Sequence, residues 1–138
     1  MRSQPTHWFE EHTGEVQLHL VAPTLGQLFE EAAKALAELM VEQLAEGPAP
    51  SVELVKLSAP DREALIVEWL NELIFRSETQ QKIYGEARIL RLSDTELEAE
   101  IRGKTPERLG TAVKAATYHR LKIVSQENGY AATVILDV

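Results

Sequence analysis

Glu15-Val16-Gln17-Leu18-His19-Leu20-Val21-Ala22-Pro23-Thr24-Leu25 decides how the fold is read. Val16, Leu18 and Leu20 point one way, and Glu15, Gln17 and His19 the other, which is the period-two alternation of a half-buried strand. Pro23-Thr24 ends it. Thr24 and Gln27 have the spacing of a capping box, so a helix starts there. Leu25, Leu28, Ala32, Leu36 and Leu39 recur at helical spacing and give that helix one apolar face.

Outward from this unit, residues 45–50 (Ala-Glu-Gly-Pro-Ala-Pro) read as a loop too short to link domains. A second strand is expected at about 52–57. Ser58 then reads as an N-cap, with Pro60 in the first helical turn and Asp61 near the positive helix end. The helix expected from 60 to about 77 carries Leu65, Ile66, Trp69, Leu70, Leu73 and Ile74, a wide stripe that predicts the more buried helix. Residues 83–92 form the next strand, and Leu97, Ala99 and Ile101 alternate with Glu96, Glu98, Glu100 and Arg102 in the one after. Ser93-Asp94 turns between them. Residues 103–111 read as a polar loop and 113–126 as one long strand, although Ala115-Ala116 allows a short helix at its start. Asn128-Gly129 predicts a type I′ hairpin. In the last strand, 130–138, Ala132, Val134 and Leu136 share one face, and Asp137 lies opposite with Thr133 and Ile135. The order β-α-β-α-β-β-β-β predicts a single two-layer α+β domain over 1–138, with an antiparallel or mixed sheet and two helices packed on one face.

The 138 residues carry a formal charge of −8 and no cysteine. Disulfides, thiolate zinc sites and cysteine nucleophiles are excluded. The acidic balance argues against a basic surface for nucleic acid, so no direct nucleic-acid contact is expected; it suits cations or a basic protein partner. Met1-Arg2-Ser3-Gln4-Pro5-Thr6-His7-Trp8 lacks the apolar core and cleavage site of a signal peptide, and the apolar runs are too short to span a bilayer. A cytoplasmic protein with no membrane partner is expected.

Three clusters carry possible chemistry. Glu10-Glu11-His12-Thr13-Gly14-Glu15 offers carboxylates and an imidazole, as a Ca²⁺ or Mg²⁺ site would; a solvated acidic loop reads the same way. Asp137-Val138 places two carboxylates one residue apart. If Glu15 lies beside them, three negative groups converge and a divalent cation would relieve their repulsion; an ordinary exposed strand end is the alternative. Lys114-Ala115-Ala116-Thr117-Tyr118-His119 holds acid–base groups, but in a strand Tyr118 and His119 face opposite sides. There is no Ser/His/Asp relay and no Gly-rich phosphate loop.

Glu11-His12-Thr13-Gly14-Glu15, Trp69-Leu70-Asn71-Glu72-Leu73, Val113 to His119 and the closing Val134-Ile135-Leu136-Asp137-Val138 together resemble the archease family in order and spacing over essentially the whole chain. The resemblance implies a small α+β domain with two helices on a sheet. It implies a non-catalytic accessory protein of the RNA-splicing ligase that joins 2′,3′-cyclic-phosphate or 3′-phosphate ends to 5′-hydroxyl ends, promoting guanylylation and multiple turnover of that ligase in tRNA splicing. It implies a divalent metal ion, Ca²⁺ with Mg²⁺ or Mn²⁺ as alternatives, held by Glu15, Asp137 and Val138. Glu11, His12, Lys114, Tyr118 and His119 are candidates for supporting or partner contacts. This chain reads His-Thr-Gly-Glu where the family usually reads His-Thr-Ala-Asp, so Glu15 reaches one methylene further. Other readings are a chaperone-like modulator of RNA-modifying enzymes and a small metal-dependent hydrolase in which His12, Glu15 and Asp137 hold a metal-bound water.

Overall fold

The structure, a computed structural model, describes residues 4–48 and 52–138. Ala49 and Pro50 of the expected loop, and Met1, Arg2 and Ser3, lie outside the described residues. The elements run β1 (Thr6–His12), β2 (Glu15–Ala22), α1 (Leu25–Met40), β3 (Val41–Leu44), β4 (Glu53–Ser58), α2 (Arg62–Gln80), β5 (Ile83–Leu92), β6 (Glu96–Lys104), β7 (Pro106–Leu109), β8 (Ala115–Thr117), β9 (Ile123–Gln126) and β10 (Gly129–Asp137). The α+β class holds. The strands divide into a five-stranded sheet in the order β1-β2-β10-β8 with β9 also on β10, a three-stranded sheet β4-β6-β5 and a β3-β7 ribbon. All these pairs are antiparallel.

The opening unit forms as read. Val16, Leu18, Leu20 and Ala22 are buried beneath α1, and the Thr24 hydroxyl accepts from the Gln27 amide at 3.1 Å. The second helix starts later than expected. Asp61, not Ser58, is its N-cap and accepts from the Ala64 amide at 2.8 Å, while Ser58 closes β4. An ionised carboxylate at a helix N-terminus is favoured by the exposed amides and the dipole there. At the centre of the core Trp69 is fully buried, and its Nε1–H donates to the Phe29 carbonyl at 2.8 Å, tying α2 to α1. A buried indole needs such an acceptor.

Four further readings are corrected. A strand, β1, precedes the first expected one, so Glu10, Glu11 and His12 belong to a strand and not to a loop. Its inward face carries His7 as well as Phe9. The imidazole is clamped between Glu31 (Nδ1 to Oε2, 2.5 Å) and Glu38 (Nε2 to Oε2, 2.9 Å) of α1, so the strand shows no simple apolar alternation. Residues 106–109 of the expected loop form β7 against β3. The expected long strand at 113–126 is broken. Thr117 faces Ile135 and Ile123 faces Ala132, so six residue steps on one side span three on the other. The surplus forms the turn at 118–121, closed by the Leu121 amide on the Tyr118 carbonyl at 3.0 Å. Finally, Gln126 pairs with Gly129, which makes Glu127-Asn128 the hairpin loop instead of Asn128-Gly129. Gly129 has φ +145°, and a Cβ there would collide with the Ala22 carbonyl oxygen and lie 2.8 Å from Pro23 Cα. The glycine serves close packing, not a type I′ turn.

Candidate functional site

The five-stranded sheet turns Val16, Leu18, Val134 and Leu136 toward the helices, and the alternate residues form its outer face. At one end of that face the register aligns one residue from each of four strands. His12 pairs with Glu15, Glu15 with Asp137, and Asp137 with Ala115. The β1–β2 turn is two residues long, with Gly14 at φ +77°, a conformation glycine takes without steric cost. Beyond the strand end the Val138 amide donates to the Gly14 carbonyl at 3.2 Å, and the Lys114 amide to the Asp137 carbonyl at 2.8 Å. The expectation that Glu15, Asp137 and Val138 lie side by side therefore has a geometric basis in strand pairing. Two carboxylates directly opposite on one face are destabilising unless something offsets their charge.

A hard divalent cation fits this donor set in kind, because it favours several oxygen ligands with tolerant geometry. It does not find a ready-made cage of side chains. Among the described residues no three His, Cys, Asp or Glu side chains are grouped to hold a metal ion. Glu15 and Asp137 would need the Val138 carboxylate, backbone carbonyls or water to complete a shell.

The other predicted residues are distributed as follows. His12 is exposed at the end of the same row, its Nε2 3.9 Å from Glu10 Oε2. Glu11 pairs with Val16 and so lies on the opposite face of β1, away from Glu15. Lys114 flanks the row through its backbone. Tyr118 and His119 sit exposed in the 118–121 turn, outside the row.

Two positioning residues escaped the sequence reading. The Asn71 side chain of α2 accepts from the Ala116 amide at 2.8 Å and donates to the Ala116 carbonyl at 3.2 Å, as a neighbouring strand would. It holds β8, and hence the segment following Lys114, against the helix. Glu63 does the same for β9 by accepting from the Ile123 amide at 2.9 Å. The available signal was an amide in the middle of the apolar run around Trp69.

At the other end of the outer face Trp8 stacks on His19, with ring centroids 5.0 Å apart and planes 10° apart. His19 Nδ1 meets Thr133 Oγ1 at 2.9 Å. Its Nε2 is shielded from solvent and lies 2.7 Å from Glu10 Oε1, yet the contact lacks hydrogen-bond alignment, so it is an electrostatic approach. A groove of about 340 Å³ lies beside this pair.

The three-stranded sheet holds a separate polar network. Tyr84 Oη donates to Glu53 Oε2 at 2.6 Å, Gln80 to Glu53 Oε1 at 3.1 Å, and Arg76 Nη1 approaches the same oxygen at 3.4 Å. Burial pushes the Glu53 carboxyl up, but the hydrogen bonds from Tyr84 and Gln80 and the charges of Arg76 and Lys82 outweigh it and hold the group below its ordinary value. Burial, then the bond to Glu53 and its charge, push the Tyr84 phenol well above its ordinary range. No helix among the described residues is long and apolar enough to cross a membrane.

The profile of the Archease protein family (MTH1598/TM1083) matches residues 8–138. The protein archease of Methanopyrus kandleri is 31% identical, over 95% of this chain and 99% of its own length. That of Methanosarcina acetivorans is 28% identical, over 93% and 92%. The solution structure of Methanobacterium thermoautotrophicum protein 1598 superposes with a TM-score of 0.77 at 26% identity, covering 96% of this chain and 98% of that one. The crystal structure of an archease from Thermotoga maritima, described as a possible chaperone, shares the fold with a TM-score of 0.68 at 23% identity, covering 100% and 98%. The match runs from β1 through the paired carboxylates at the end of β10, and on that span the chain belongs to the archease family.

Proposed function

We propose that this protein is a non-catalytic accessory protein that binds a divalent cation at Glu15, Asp137 and the Val138 carboxylate, and that it activates an RNA-splicing ligase by promoting its guanylylation and turnover. One observation carries the cation site: Glu15 and Asp137 are direct cross-strand partners on the exposed face, and the Val138 amide is bonded to the turn that precedes Glu15. Adjacent carboxylates that no ion pair among the described residues neutralises are what a bound cation would reconcile. Ca²⁺ tolerates the longer reach of Glu15 better than Mg²⁺, which demands near-ideal octahedral geometry. The ion would supply a fixed positive charge at an otherwise acidic sheet end. Glu15 and Asp137 would orient it, and His12 and Lys114 at the margins would contact the partner. The ligase is the partner that the family resemblance implies, and the protein would act from the cytoplasm.

The test adds the purified protein to the ligase of its own organism with GTP and Mn²⁺. Faster guanylylation and multiple turnover are expected; an unchanged ligase rejects the reading. A C-terminal extension, which moves the Val138 carboxylate, should weaken both cation binding and activation, and full activity in the extended protein would remove that group from the site. The second reading, a chaperone-like modulator of other RNA-modifying enzymes, draws on the description of the Thermotoga maritima relative as a possible chaperone. Recovery of such enzymes without a ligase in a pull-down favours it.

A further inference from the structure

The groove beside Trp8 and His19 lies at the far end of the outer face from Glu15 and Asp137. Its floor is Val21, Ala131 and Thr133, and its far wall is Arg120, Lys122, Val124 and Gln126. The strand order β1-β2-β10-β9 puts three strand spacings between the walls, about 14 Å at roughly 4.8 Å each. The small side chains of Ala131 and Thr133 leave the middle low. Trp8 is 50% exposed although one ring face is covered by His19, so a flat apolar surface remains open to solvent.

The charge of this wall opposes that of the whole chain. Its charged residues are Arg120 and Lys122, a formal +2, and residues 108–126 contain no Asp or Glu, whereas the chain as a whole carries −8. Among the described residues the Arg120 and Lys122 side chains make no ion pair or side-chain hydrogen bond. Arg120 also sits at φ +55°, at the third position of the 118–121 turn, where a positive φ favours Gly or Asn. A left-handed arginine costs about 1–2 kcal/mol and is retained here at the rim of the groove.

We propose that this groove is a nucleotide-binding site, taking a nucleobase on Trp8 and the attached phosphate on Arg120 and Lys122. An exposed indole selects a planar π system, and two long uncommitted cationic side chains on the facing wall select an anion. A nucleotide supplies both in one molecule, and Gln126 offers an amide for the base edge or ribose. Glu10, beside His19, repels phosphate from the Trp8 wall and so sets the direction in which the ligand lies. The global acidity that predicted no direct nucleic-acid contact does not extend to this strip. The nucleotide is either free or part of single-stranded RNA, since both present a base and a phosphate.

The test uses the isolated full chain without any ligase, so its outcome is separate from that of the activation reading. GMP, a short single-stranded RNA and ribose 5-phosphate are titrated while tryptophan emission is followed, with calorimetry for variants that lack Trp8. GMP or the RNA is expected to quench Trp8, with an affinity that falls as salt rises. Tighter binding of RNA assigns the site to a strand, and tighter binding of GMP to a free nucleotide; either upholds the site. Trp8→Ala and the double variant Arg120→Gly/Lys122→Ala should each weaken binding by about tenfold or more. Arg120→Gly relieves the left-handed strain, so failure to fold does not obscure the result. Absence of quenching at millimolar GMP and RNA, ribose 5-phosphate binding as tightly as GMP, or wild-type affinity in the double variant overturns the proposal.

Discussion

The two ends of one sheet face are built from the same strands and carry opposite charge. At one end β1, β2 and β10 contribute His12, Glu15 and Asp137; at the other they contribute Trp8, His19 and Thr133, with Lys122 from the segment just before β9. The acidic end comes from strict cross-strand pairing and the basic end from an interruption of pairing, where three surplus residues are thrown out between β8 and β9. Regular register sets like charges directly opposite each other on an exposed face. Irregular register exposes side chains that owe nothing to the core. Both routes yield a surface with unspent electrostatic potential, and both depend on helix α2, which holds β8 through Asn71 and β9 through Glu63.

The largest expected effect separates the ends. Asp137→Asn should weaken Ca²⁺ binding about a hundredfold, since ligand charge count shifts affinity by orders of magnitude. The metal-free protein should be as stable as the parent or more stable by about 0.2–1 kcal/mol, because a like-charge cross-strand pair is removed. Calorimetric titration and urea denaturation read the two quantities, and a metal-free variant destabilised beyond 1 kcal/mol would mean that the aspartate serves the fold. In the same variant the groove at the Trp8 end should behave as in the parent, as expected for sites that share no partner. Next, Asn71→Ala should cost about 2–3 kcal/mol by leaving the Ala116 amide and carbonyl unsatisfied. It should speed hydrogen exchange at Ala116 while exchange at Ile123 stays slow, which would show that the two short strands are held independently.

The smallest effect is a control far from both ends. Tyr84→Phe should cost about 1.5 kcal/mol, as for one hydrogen bond to a charged group, with cation binding unchanged. The pH profile carries the sign. Glu53 is held below its ordinary value of 4.5, so its contribution is present above that pH and lost as the pH falls through the folded value. Tyr84 is raised above 10.0, so its contribution is present below that pH and lost as the pH rises further. Removing the phenol should flatten the alkaline limb and soften the acid one. An unchanged profile would show that the network contributes nothing to folding.

Where a side chain has a single apolar environment, the chain was readable. The 16–22 alternation, the Thr24 cap, the α1 stripe and the β5–β6 hairpin all form. β1 was hidden because its inward His7 is satisfied by two glutamates contributed from α1, and no local pattern announces a partner that distant. The break at 118–121 was hidden because it is set by what β10 can pair with, not by turn residues. Asp137 was legible as a strand-end carboxylate. The residues alone left open whether it faces Glu15, which the family resemblance implied and the register of β2 with β10 supplies, and Asn71 was legible merely as a polar residue in the wrong stripe.

Alternation says inside or outside but not how far along. Sliding β10 by two residues against β2 would keep every apolar side chain facing the helices, so the core alone accepts several alignments. In those alternatives Asp137 would no longer meet Glu15. Gly129 removes the ambiguity. It fills the one place where β10 passes too close to Ala22 and Pro23 for any side chain, and a two-step slip would bring Glu127 or Ala131 to that spot. The hairpin thus acts as an end stop for the strand, and the spacing of two carboxylates at the opposite end of the sheet is gauged by a hydrogen atom eight residues away.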